Sequence, residues 1–495
     1  MPARALTGAS GAWRRWTLSS LGIAIATRLV AGPLPLNYYD VGYALLWGRE
    51  ILDGHLPDYR TPGASTPHPL GTLLATVAAA FGTSAGWCVV QAIMFISLGV
   101  AGTALFLLTR TCLVRAGAGA RQATAAGALA VAALLLTRPF LTDAVGGSGL
   151  SDLPALALVL AAAAIAAARP GRSRGPLVLL GLAGLMRPEA WGLAGAYWLY
   201  LALTVLPRRQ LVEAAVLVAA APVIWALCDL VVVGDPAYSL TQTQAASHTG
   251  IFAHGIGQVP RAAGRGLRAL VGLPVLVVGA AGALTALVLA RRATAPALAL
   301  LGLALAEFAA LGVANVPLIE RFLLIVAAMT CLFFAYAVVG ARDHVLGRLG
   351  GHHRPLKLAW TGLAVLVVAY AAAQHLSGVV HVRADQRVAV HAEADLLALA
   401  RRPEVRAAVG RCPTFYVPVF TLTSLVAYDF GLPPQTILRT ASKPPALGLI
   451  LVPVTRPAGA YFGVTSARVD VLRRFTASRP ISENRSWRLV ARGCP

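Results

Sequence analysis

The stretch WRRWTLSSLGIAIATRLVAGPLPLNYYDVGYALLWGREILDG, Trp13 to Gly54, decides how the rest of the chain is read. Two arginines precede an apolar run of about 20 residues, the length at which a helix crosses the hydrocarbon core of a bilayer. Polarity then returns abruptly, with paired tyrosines, Asp40, and a segment that continues through Glu50 and Asp53 to His55, Asp58 and His68. A membrane anchor thus opens into a loop equipped for chemistry. No small-residue cleavage pattern follows the run, so it is expected to stay as an anchor.

The same alternation recurs along the chain. Of 495 residues 57% are hydrophobic and only 13% charged, too few charges to cover a soluble surface. A polytopic α-helical membrane protein is expected, with spans near 17–36, 86–108, 122–141, 150–168, 175–188, 190–206, 211–233, 269–290, 294–314, 317–341 and 356–377. The run 69–82 is short and is read as lying at the surface or dipping in. The two short runs flanking MRPEA are read as a hairpin. Arg14/Arg15, Arg110/Arg115/Arg121, Arg169/Arg172/Arg174, Arg208/Arg209, Arg291/Arg292 and the run 342–357 occupy alternate connections. Placing them all inside gives eleven crossings of the plasma membrane, a cytoplasmic amino terminus and an extracytoplasmic carboxyl terminus. This pattern accounts for the net charge of +22, so the bilayer and not nucleic acid is the expected partner.

Residues 1–377 therefore read as the transmembrane domain and 378–495 as an extracytoplasmic α/β domain. In the latter, TFYVPVF, LGLILVPV and WRLVAR carry strand patterning, and helices are expected around RADQRVAVHAEADLLALARRPEV and SARVDVLRRF. Cys412 and Cys494 lie in this tail, and in an oxidising compartment a disulfide between them is one of two open outcomes. The other four cysteines sit in or beside apolar runs as small hydrophobes. No CxxC or Cys/His cluster points to structural zinc. No internal repeat is visible, which disfavours the inverted-repeat transporter plans.

The polar residues of the outer loops carry two readings each. Asp40 is either an acid favouring a helix start or a general base at the membrane surface; Glu50, Asp53 and Asp58 read as solvated. His68, between prolines, is either the residue before a helix with proline in its first turn or a donor to phosphate or sugar. Asp152 caps a membrane helix, whereas Asp143 has no such structural role in view. Arg187 and Glu189 lie between apolar runs, where ionisable groups have a partner or a function; a mutual salt bridge and a ligand role are both open. Arg321 either grips a phosphate bidentately or pairs with Glu320. Arg28 is expected to snorkel outward. The segment 234–268 is either a cover for a polar substrate or a connector.

The motifs YYDVGYALLWGREILDG, SDLPALALVLAAAAIAAAR, GLAGLMRPEAW and ERFLL, in this order, resemble the GT-C superfamily of integral membrane glycosyltransferases. The similarity extends to the actinobacterial arabinofuranosyl- and mannosyltransferases, whose outer domain the phrase CPTFYVPVFTLTSLVAYDFG resembles. The resemblance implies an inverting transferase that moves a sugar, arabinofuranose or mannose favoured, from a polyprenyl-phosphate donor to a hydroxyl of a cell-envelope acceptor. It implies Asp40 as base, with Arg321, Arg187 and His68 at the donor phosphate. Family members often carry a second acid beside the first; here Val41 follows Asp40. A metal built on that loop is therefore not expected, although Asp143 or Asp152 as a second carboxylate leaves a divalent cation open. The rival expectations are a polyprenyl-lipid flippase and a non-catalytic scaffold of the same fold.

Overall fold

The computed structural model of the chain describes residues 3–32, 39–61, 64–137, 139–142, 150–171, 174–204, 207–247, 253–348, 354–439, 447–465, 469–470, 472 and 480–494. Its first part is helical: α1 (Ala3–Ala31), α2 (Tyr39–Leu52), α3 (Pro69–Ala79), α4 (Thr83–Arg115), α5 (Ala120–Leu135), α6 (Asp152–Ala168), α7 (Arg174–Gly184), α8 (Glu189–Thr204), α9 (Arg208–Val233), α10 (Tyr238–Ser247), α11 (Val259–Val271), α12 (Leu273–Leu289), α13 (Arg291–Val313), α14 (Leu324–Ala335), α15 (Ala341–Arg348) and α16 (Arg354–Ala400). Apart from 269–290, each expected apolar run is mainly helical in its described part. Among the described residues five helices are long and apolar enough to cross a membrane, or six if the bent pair ending at Leu289 is one span. Others are apolar but shorter. The eleven residues of α7 rise only about 16 Å, so this helix and α8 form the expected hairpin.

Among the long apolar helices α4 and the segment Glu320–Gly340, which contains α14, are the most buried. α4 packs against α1, α5 and α6, and α14 against α12, α13 and α5. Between apolar helices in lipid the gain comes from close van der Waals contact, which small residues permit. Gly279 and Gly282 of α12 lie directly on the backbone carbonyls of Thr330 and Phe333, so a single methyl at either position would force α12 off α14.

The expected span 269–290 is corrected. Its first three residues end α11, and the chain turns by 112° before α12. Gly272 at φ +78° makes that turn, with Pro274 in the first turn of α12. A left-handed φ is open to glycine and costly for other residues. The apolar side of α11 (Ala262, Gly266, Leu267, Leu270) is buried, while Arg261, Arg265 and Arg268 are exposed. The described part of 234–268 is thus largely helical, and it is fastened: the Ser239 amide and hydroxyl donate to Asp229 at 2.9 and 2.7 Å, and Thr66 meets Thr243 at 2.8 Å.

The 47-residue α16 runs straight through position 377 into the carboxyl-terminal part. After it come α17 (Pro403–Arg411), β1 (Phe415–Val417), α18 (Thr423–Phe430), β2 (Ile437–Arg439), β3 (Gly448–Pro453), α19 (Arg456–Tyr461), β4 (Ser482–Glu483) and β5 (Trp487–Arg492). The sheet order is β2-β1-β3-β5-β4. β1 is parallel to β2 and β3, whereas β5 runs antiparallel to β3 and β4. The three expected strands are present; most of the helix expected around 466–475 lies outside the described residues. Strand β3 is buried along its length, as suits a central strand covered on both faces. Trp487 donates to the Ala392 carbonyl at 2.6 Å, fixing the sheet to α16. Cys412 and Cys494 form a disulfide with a Cα–Cα distance of 5.6 Å, tying the approach to β1 to the end of β5. Arg383 of α16 donates to the Val30 and Leu29 carbonyls at 2.8 and 2.9 Å, capping the last turn of α1, where a cation is favoured. Arg28 donates to the Gly32 carbonyl at 3.0 Å.

Candidate active site

Asp40 stands in the first turn of α2, where a carboxylate complements the helix dipole. Its partner comes from far along the chain. Arg321, in the single 3₁₀ turn Glu320–Leu323 that precedes α14, donates from Nη1 to Asp40 Oδ2 at 2.6 Å. The Asp40 side chain is 13% exposed and that of Arg321 30%, so a partly desolvated ion pair remains reachable from outside. The pairing with Glu320, open in the sequence, gives way to this long-range one.

The α7–α8 hairpin supplies the second charged group. Its turn places Arg187 so that Nη1 donates to Asp152 Oδ1 and Nη2 to Glu189 Oε1, the latter at 2.8 Å. The Arg187–Glu189 salt bridge read from the sequence is therefore present, and Asp152 joins it. Asp152 is almost fully buried, with Oδ2 shut off from solvent and without a hydrogen-bond partner among the described residues. The Arg187 guanidinium also lies over the Phe322 ring, 4.7 Å from its centroid, which links the hairpin to the turn carrying Arg321.

His68 is the residue before α3, with Pro69 in the first helical turn. The Leu70 amide donates to the Leu185 carbonyl at 3.2 Å, seating this helix start against the hairpin. The His68 ring packs edge-on to Trp225 at 5.6 Å, and its Nδ1 is buried without a partner among the described residues. Burial, with the guanidiniums of Arg187 and Arg321 adding to it, holds the imidazole well below its usual pKa and hence neutral.

A narrow cleft of about 40 Å³ runs between Asp152, Arg187, Glu189, Glu307, Arg321 and Phe322. It takes a water or two; a sugar phosphate requires its walls to move. Glu307 is the residue that the sequence reading missed. It lies on α13 against α8, where a Cβ at Gly192 would come within 2.5 Å of its Oε1. Its signal was a lone acid in the apolar run LALAEFAALG, and an ionisable group inside a membrane helix marks a site by default.

Asp143 lies outside the described residues. Glu50 and Asp58, expected to be merely solvated, are built into the loop. Glu50 accepts from the Asp58 amide at 2.8 Å, and Asp58 accepts from Thr61 at 2.6 Å. The loop is anchored by Arg60, which donates to the Val233 carbonyl at 2.6 Å. Among the described residues no three His, Cys, Asp or Glu side chains form a group able to hold a metal ion. Asp40 and Asp152 each have an arginine partner instead, so the site as described does not fit a divalent cation.

The carboxyl-terminal part of the chain reaches the site directly. Ser424 of α18 donates to the Tyr39 carbonyl at 3.0 Å, and Phe420 packs edge-on to Tyr39 at 5.3 Å. Arg49, further along α2, lies 4.0 Å from the Tyr428 ring centroid. The start of α2, and with it Asp40, is clamped by the carboxyl-terminal part of the chain.

Together these elements make a largely helical body with several apolar helices, an acid in the first turn of α2 and a small carboxyl-terminal sheet. The chain is similar to ArnT from Cupriavidus metallidurans, with a TM-score of 0.55 and 13% identity over 97% of this chain and 98% of that one. It is also similar to the oligosaccharyltransferase of Archaeoglobus fulgidus in complex with Zn and sulfate, with a TM-score of 0.51 and 15% identity over 86% of this chain. There it spans 62% of the other chain's length. No protein-family model matches the chain, and no curated protein does.

Proposed function

We propose that the protein is an inverting glycosyltransferase of the plasma membrane, taking a sugar from a polyprenyl-phosphate donor and passing it to a hydroxyl of a cell-envelope glycan, lipid or protein. The observation that carries this reading is the Asp40–Arg321 pair at the edge of a cleft also lined by Arg187. A base and a fixed cation are what such a transfer needs at its two ends: one takes the acceptor's proton, the other receives the departing phosphate.

In the resting site Asp40 neutralises Arg321. An arriving donor phosphate competes for that guanidinium, whose planar fork suits phosphate oxygens. Once Arg321 turns to the phosphate, Asp40 is released to accept the proton of the attacking hydroxyl. The hydroxyl oxygen bonds to the anomeric carbon as the bond to the phosphate oxygen breaks, and the lipid phosphate leaves as an anion held by Arg321. His68, neutral and with Nδ1 unpartnered among the described residues, donates a hydrogen bond to the same phosphate. Arg187, already engaged by two carboxylates, acts mainly through its field and by keeping the cleft assembled.

Residues 1–377 form the catalytic membrane domain in this reading, with the amino terminus cytoplasmic. Residues 378–495 form an extracytoplasmic domain that binds the acceptor glycan and steadies Asp40. A disulfide in that domain suits an oxidising compartment. Arabinofuranose and mannose are the favoured sugars, on the likeness of the tail to actinobacterial members. A flippase for the same lipid is the weaker reading, since the charged groups gather at one end of the helices rather than along a path through them. Incubating the purified protein with radiolabelled polyprenyl-phosphate arabinose or mannose and envelope acceptor separates the readings. Label in the acceptor supports transfer; lipid moved between leaflets without transfer supports the flippase; neither supports a scaffold.

A further inference from the structure

The two helices that deliver Asp152 and Glu307 to the cleft both approach the end of α4 at their other ends. α6 runs from Asp152 to Ala168, so Ala167 lies about 22 Å from Asp152; α13 runs from Arg291 past Glu307, about 24 Å on. At this far end Arg115, the last residue of α4, donates to the Ala167 carbonyl at 2.5 Å. Beside it lies an open hollow of about 660 Å³ at the helix ends, lined by Arg115 and Ala116 and by residues 288–293, among them Val288, Leu289, Arg291 and Arg292. All three arginines are exposed, and among the described residues no carboxylate forms a salt bridge with any of them. The first turn of α13 adds backbone N–H groups that no side chain caps. The Ala293 and Thr294 amides of that turn are taken by the Ala290 carbonyl, so it is the three cations around one hollow that favour an anion.

The wall of the cavity decides which anion. Val288 is 68% exposed and Leu287 beside it 52%, so the outer side of α12 faces lipid while the arginines stand at its end. A basic pocket set between transmembrane helices, with an apolar flank, suits a phosphodiester that carries acyl chains, because head and tails are then satisfied together. We propose that this cavity binds the headgroup of an anionic glycerophospholipid at the membrane face opposite the candidate active site. The site rests on the chain crossing a bilayer and not on the transferase reading.

The test uses the full chain purified in detergent and mixed with defined micelles, with retained lipid counted by mass spectrometry. Phosphatidylglycerol should be retained roughly ten-fold over phosphatidylcholine, and excess inorganic phosphate should not displace it. The double variant Arg291→Gln/Arg292→Gln should lose that preference, Arg291→Lys/Arg292→Lys should keep most of it, and Arg209→Gln, a cation on α9 outside the cavity, should leave it intact. If the double variant aggregates, Arg292→Gln alone carries the comparison. Undiminished preference in the glutamine variants, or equal loss with Arg209→Gln, would overturn the site. Displacement by inorganic phosphate would show a free-anion site and overturn the lipid assignment.

Discussion

Arg321 donates to Asp40 at 2.6 Å across 281 positions of sequence, so the residue proposed to hold the leaving phosphate and the residue proposed to take the proton begin as each other's partner. Replacing Arg321 by Ala should lower transfer about 10²- to 10³-fold, as loss of a fixed transition-state donor does, and should weaken donor binding. Arg321→Lys should recover only part, since the charge returns without the fork. Initial rates and donor affinity measured together check this; unchanged donor affinity in Arg321→Ala would confine the arginine to its pairing with Asp40.

Arg187 is bound by Asp152 and Glu189 in a nearly closed setting. Its removal strands two buried carboxylates, so Arg187→Ala should destabilise the protein by about 3–5 kcal/mol. Pairing that change with Asp152→Asn should restore part of the loss, because a neutral amide tolerates burial better. Thermal unfolding in one detergent measures both. Equal melting of wild type and Arg187→Ala would mean that solvent reaches the cluster.

Gly42 of α2 faces Ser424 so closely that a Cβ would overlap the Ser424 Oγ. Gly42→Ala should therefore push α18 away from α2, lower the melting temperature and reduce turnover by misplacing Asp40. Ser424→Gly in the same chain should restore much of both. A Gly42→Ala protein of normal stability and rate would remove the clamp between domain and site.

Desolvation raises the Asp429 carboxyl from 3.8 to about 7, against the opposing pull of Arg401 and Arg49. An acid whose folded pKa is raised binds its proton more tightly folded than unfolded, so it stabilises the fold fully at low pH and loses that contribution as pH rises from about 4 through 7. Melting curves of wild type and Asp429→Asn should differ in slope across that window, with the asparagine variant flatter. Parallel curves would place Asp429 in solvent.

Apolar runs and arginine spacing carry the helical body in plain sight, because a bilayer imposes its thickness on the sequence. Strands β1, β3 and β5 show as apolar runs in TFYVPVF, LGLILVPV and WRLVAR, whereas β2 and β4, of three and two residues, lie in stretches without such a run. The bend at Gly272 was missed because the run 269–290 is apolar on both sides of it, although Gly-Leu-Pro within it marks a break. Asp40, His68, Arg187 and Arg321 stood out as polar groups at the ends of greasy helices. Their partners did not, since a bond from Arg187 to Asp152 depends on how α6 packs against the hairpin. Glu307 stood in view as a single acid and was passed over because it lacked a motif.

The central claim is that Asp40 takes the acceptor proton, and Asp40→Asn tests it most directly, since the amide keeps the shape and removes the base. Transfer from a radiolabelled polyprenyl-phosphate sugar and donor affinity should be measured on the same preparation. The account predicts transfer reduced about 10²- to 10⁴-fold, with donor affinity unchanged or tightened as Arg321 is freed. Near-normal transfer by Asp40→Asn would contradict it.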